Sequence, residues 1–154
     1  TLTIGAISAW FYGEGGAAIF SAAWNGGAEK HFTLRGNGYY AYDGTNESIS
    51  GNAFPPAGAW HYGLWGGNGS TWVFYLEGEP ITLTWTTGIN RGWWFGYFNG
   101  LANPTNTMDL GVTMRSTPMQ YLTGKEALVR AYNAIPSAAT VKENFKQEKH
   151  LLRV

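Results

Sequence analysis

The chain contains no cysteine, so disulfide frameworks and thiolate metal sites are excluded and the core must hold by packing alone. Charge is scarce: Asp, Glu, Lys and Arg make up 13% of the residues, against a usual share of roughly 25%. Ten bases balance ten acids, and a nucleic-acid partner would call for a basic face with interleaved aromatics, whereas here the aromatic part is acidic and the basic part holds few rings. No apolar run approaches the roughly 18 residues that a membrane-spanning helix needs. The opening Thr1-Leu2-Thr3-Ile4 has neither an initiator Met nor a basic stretch, which is expected of a chain that has lost a Met, a leader or a fusion partner.

What is present is glycine, 22 of 154 residues, and aromatic side chains, 16%. Disorder goes with few rings and high net charge, so this composition folds. Glycine-punctuated runs rich in Trp, Tyr, Phe and Thr predict strands. They fall at 1–12, 17–24, 30–35, 38–43, 58–65, 92–98 and 107–114, with a hairpin over 71–87 turning at Glu77-Gly78-Glu79-Pro80. That makes about nine strands, enough for an antiparallel β-sandwich or a jelly-roll-like domain. In the strand 107–114, Met108, Leu110, Val112 and Met114 share one face and point to a core. The Trp-Gly clusters are unequally spaced, so a three-fold repeat is not expected.

The composition changes near Ser116-Thr117-Pro118: all eight Trp and 21 of the 22 Gly precede it, and three bases face seven acids there, whereas seven bases face three acids beyond. The chain therefore divides into an aromatic β part, 1–117, and a helical basic segment, 118–154, packed on it or on a neighbouring subunit. Thr123-Gly124-Lys125-Glu126 has the spacing of a capping box and predicts a helix over 124–134. Ser137 and Thr140 offer caps for a second helix, with Val141, Phe145 and Leu152 along one stripe and Lys142, Lys146, Lys149 and Arg153 on the other side.

Catalytic signatures are weak. Gly13-Glu14-Gly15-Gly16-Ala17-Ala18 matches a dinucleotide fingerprint in form, but a strand follows it instead of a helix, so a turn between strands is the better reading. His31, His61 and His150 lack the spacings that place two imidazoles on one metal. No Gly-x-Ser-x-Gly elbow occurs. Glu77 and Glu79, the only paired carboxylates suggesting a glycoside hydrolase, fall in the expected turn. No cofactor is implied. Asn46-Glu47-Ser48 and Asn68-Gly69-Ser70 fit glycosylation acceptors, meaningful only on a eukaryotic secretory route.

The dense rings between 60 and 98 supply the functional expectation. Rings of a strand over 92–98 point both ways, and exposed indoles flanked by amides and an arginine suit stacking against sugars. The expected ligand-binding residues are Trp93, Trp94, Tyr97 and Arg91, with Asn90 and Asn99 beside them, then Trp60, Tyr62, Trp65 and Asn68. The reading is a non-enzymatic, lectin-like protein, secreted or associated with a cell or virion surface, that holds a carbohydrate or cell-surface ligand and forms a homo-oligomer. Two alternatives share the composition: a structural subunit of a virion or filament, and a membrane-active protein whose Trp-rich loop enters the lipid interface.

Overall fold

A computed structural model describes residues 3–13, 16–24, 26 and 30–152. Two antiparallel sheets pack face to face as a β-sandwich. The first sheet contains β1 (Gly5–Gly13), β6 (Trp60–Gly67), β7 (Trp72–Leu76), β8 (Glu79–Ile81) and β11 (Gly124–Tyr132), in the order β11-β1-β6-β7-β8. The second contains β2 (Ala18–Ala23), β3 (His31–Arg35), β4 (Gly38–Tyr42), β5 (Glu47–Ser50), β9 (Trp85–Thr87) and β10 (Thr107–Leu110), in the order β10-β2-β3-β4-β5-β9. Two helices complete it, α1 (Phe95–Asn99) and α2 (Ala138–Lys149). Glu14 and Gly15 of the glycine motif, and Arg153, lie outside the described residues. Among the described residues, no helix is long and apolar enough to cross a membrane.

Period-two alternation explains why β1 is buried on both sides. Ile7, Ala9 and Phe11 join Phe32, Leu34, Tyr39 and Phe74 between the sheets. Ala6 and Trp10 face outward, where Tyr62, Leu64 and α2 cover them. The apolar stripe of α2 performs that covering: Val141 is buried, Phe145 and Leu152 pack beside it, and the Phe145 ring stacks on Trp10 at 5.7 Å. Ser137 caps the helix as expected, its Oγ accepting from the Thr140 N–H at 3.2 Å. Glu148 is buried at the other end, where it accepts from Trp10 Nε1 at 2.8 Å and pairs with Arg130.

Four expectations are corrected. The segment 124–134 is not a helix: residues 124–132 form edge strand β11, pairing with β1 from Gly13↔Gly124 to Ala6↔Tyr132. The open edge of β1 offers a full ladder of backbone partners, which outweighs a capping signal worth about 1 kcal/mol. The segment 92–98 is not a strand, because the chain has left the second sheet after Thr87, turns at Gly92 (φ +64°) and winds into α1 from Phe95. The second arm of the 71–87 hairpin divides at the sandwich corner. Its first part, β8, stays with β7 across the turn at Glu77 and Gly78, both with positive φ, while β9 crosses to pair with β5.

The fourth correction concerns β10. Met108 and Leu110 stand opposite Ala22 and Phe20 and so face the space between the sheets, but they are 65% and 52% exposed. Alternation identified the side and overstated the burial, because β10 is an edge strand and the sandwich is open beside it. Thr113, assigned outward, is sealed on the opposite face, its Oγ1 lying 3.0 Å from Thr33 Oγ1.

Candidate functional site

The residues expected to bind a ligand do not share one surface. Tyr62 and Trp65 are fully buried, Tyr62 beneath α2 and Trp65 in the inter-sheet core with its Nε1 donating to the Arg35 carbonyl at 2.9 Å. Trp60 is half-buried and meets Tyr12 edge-on. Asn68 and Asn90 shape backbone. The first accepts from the N–H groups of Ser70 and Thr71, and the second brackets Trp72, accepting from its N–H at 2.6 Å and donating to its carbonyl at 3.1 Å.

Trp94 is buried by an accommodation in its neighbours. Gly5 and Gly67 are cross-strand partners, and a Cβ on either would come within 2.5 Å and 2.9 Å of the indole. The ring therefore lies flat against bare backbone. Asn99 is exposed at the end of α1.

Arg91, Trp93 and Tyr97 do come together, but as a closed stack. Tyr97 lies parallel to Trp93 with ring centroids 4.6 Å apart, and the Arg91 guanidinium sits 5.0 Å from the Trp93 centroid. Trp93 itself is only 8% exposed, so little of its ring is open to solvent. Asp43 anchors the stack by accepting from the Tyr97 hydroxyl at 2.8 Å. Burial and the Asp43 carboxylate push the Tyr97 phenol up to about 12. Burial works against the Asp43 carboxylate, yet bonds from Asn46, Tyr97 and Thr45 hold it below its ordinary range.

A site that sequence reasoning missed lies on the outer face of the second sheet. Arg35 ends β3, and Tyr40 stands opposite Thr33 on β4, so both project from this face. Asn37 in the intervening turn donates to the Asn52 carbonyl at 2.9 Å and thereby holds the 52–54 loop alongside. The Arg35 guanidinium then lies 5.3 Å from the Phe54 ring centroid and 6.0 Å from that of Tyr40. Burial holds it below its usual range, with Tyr40 acting in the opposite sense. Its Nε is enclosed without a hydrogen-bond partner, and among the described residues no acidic side chain pairs with it. Tyr40 is raised first by burial and then by its hydrogen bond to Glu47, with Arg115 and Arg35 opposing. Phe54 is 41% exposed. The face thus offers guanidinium donors, a carboxylate acceptor and an open ring. The signal was faint, since Arg35 and Phe54 are isolated in sequence and are brought together by contacts such as that of Asn37 with the neighbouring loop.

Glu77 and Glu79 are occupied structurally. Glu77 meets His61 Nδ1 at 2.9 Å and accepts from the Tyr62 N–H, while Glu79 pairs with Lys142 on α2.

No protein-family model matches the chain, and no curated protein matches it. Solved structures share its fold. The CBM40 domain of the Ruminococcus gnavus IT-sialidase has a TM-score of 0.67 at 16% identity, over 92% of this chain and 82% of that one. The same domain bound to alpha2,3 sialyllactose gives 0.67 at 16%, over 93% and 82%. Domain 4 of AbnA, an extracellular arabinanase from Geobacillus stearothermophilus, in complex with arabinotriose, gives 0.56 at 14%, over 92% of this chain and 66% of that one.

Proposed function

We propose that this domain is a non-catalytic carbohydrate-binding module of a secreted or surface-located protein. Its sugar lies over Arg35, Tyr40, Glu47 and Phe54 on the outer face of the second sheet. One observation carries the reading: a guanidinium without an acidic partner among the described residues, bracketed by two aromatic rings of which one is open to solvent. A sugar presents hydroxyls around an apolar ring face. Arg35 donates to its oxygens, Glu47 accepts from its hydroxyls, and Phe54 covers its C–H surface. Sandwiches of the same fold that hold sialyllactose and arabinotriose support this reading. Because Arg35 lacks a counter-ion, a sugar with an anionic substituent is favoured over a neutral one.

Titration calorimetry with alpha2,3 sialyllactose and arabinotriose tests it. Saturable binding is expected, tighter for the acidic sugar, and chromatography of the incubated ligand should show no cleavage. Arg35→Ala should weaken the acidic sugar by about tenfold or more, in line with the loss of a charge-assisted contact, and leave the melting temperature nearly unchanged. Phe54→Ala should weaken both sugars. Wild-type affinity in both variants, or no binding at millimolar sugar, would overturn the assignment.

A further inference from the structure

The open side of the sandwich holds a groove of about 680 Å³ between edge strands β10 and β11. Its walls come from both sheets: Phe20, Ala22 and Met108 on one side, Ile7, Val129 and Ala131 on the other. Trp94 and Phe95 add rings to the lining, and Asn99, Thr105 and Thr107 add polar side chains. Two of the wall residues, Met108 and Val129, are large apolar side chains left exposed to water.

The chemistry of the lining selects an occupant. Among the described residues its single charged side chain is Arg130, which is already bound to Glu148, so a charged ligand would find no free counter-ion among them. A sugar would lose water from its hydroxyls against an alkyl wall that cannot replace those bonds. A partner strand is poorly served as well. β10 offers only four residues, and β11 is broken by a register shift around Leu128 (φ +50°) and carries Lys125 and Arg130, features that discourage edge pairing. The volume falls within the usual range of small-molecule sites, roughly 300–1,000 Å³. A slot between two sheets about 10 Å apart is narrow in one direction and admits a chain.

We infer that this groove is a second ligand site, separate from the sugar face, that takes an uncharged hydrocarbon chain. The exposed, groove-facing Met108 and Val129 are its mouth, and the buried Trp94 is part of its wall.

The test uses the full chain and the neutral fluorescent probe N-phenylnaphthylamine, with decanol as competitor. Saturable binding at one site, displacement by decanol, and an affinity indifferent to salt are expected. Met108→Glu and Val129→Glu each place a carboxylate at the mouth on an already exposed position, so folding should persist by circular dichroism while probe affinity falls at least tenfold. Arg35→Ala should leave probe binding unchanged. Four results would overturn the inference: no saturable binding, equal binding by both Glu variants, displacement by sialyllactose, or a light-scattering mass of two chains that Met108→Glu returns to one.

Discussion

Trp94 shows how one residue can change role between sequence and structure. Beside another tryptophan and an arginine it had the marks of a stacking platform, yet it rests on the Gly5–Gly67 pair and is 3% exposed. Nothing in the local sequence relates position 94 to positions 5 and 67, so its burial was not legible there. Trp94→Ala is accordingly expected to destabilise the fold by about 3–5 kcal/mol, the range for truncating a buried large ring. Urea denaturation followed by circular dichroism measures this. A stable Trp94→Ala protein that had lost only sugar binding would restore the platform role. Arg35 is the converse case: an ordinary strand end by sequence, it becomes distinctive through Phe54, brought to it by the Asn37 bond to the neighbouring loop.

Among the elements, α2 was the most legible, because its cap at Ser137 and its stripe of Val141, Phe145 and Leu152 are local signals. β11 was the least, since strand formation over 124–132 depends on the free edge of β1, more than a hundred residues away in the chain. The two elements meet at Glu148. Glu148→Ala leaves Trp10 Nε1 buried without its acceptor, a loss of roughly 1–3 kcal/mol. Arg130, with its side chain 42% exposed, turns to water and adds little. Glu148→Gln keeps an acceptor for the indole and should fall nearer wild type. Thermal melts of the two variants compare them directly; equal loss in both would mean that the Arg130 ion pair, rather than the indole bond, fastens the helix.

For the whole molecule, the open edge that forms the groove also places Glu126 of β11 beside Gly111, just beyond β10. Burial pushes this carboxyl up to about 7, with the Gly111 backbone acting the other way. The folded state therefore retains a proton that the unfolded chain releases, and stability should fall as pH rises from the ordinary glutamate range, about 4.3, through 7, then level off. Glu126→Gln should flatten that slope and stabilise the protein at pH 8 relative to wild type. Denaturation midpoints at pH 5 and 8 decide this, and an unchanged slope would show that another group titrates. Sequence alone determined that the chain is a mainly antiparallel β domain, sandwich or jelly-roll-like, ending in an amphipathic helix, because alternation, turn residues and caps are properties of neighbours along the chain. Tertiary structure decided which rings are sealed, which edge stays open and which cation lacks a partner. Those outcomes depend on contacts between distant segments, to which a pattern with a period of two or four residues is blind.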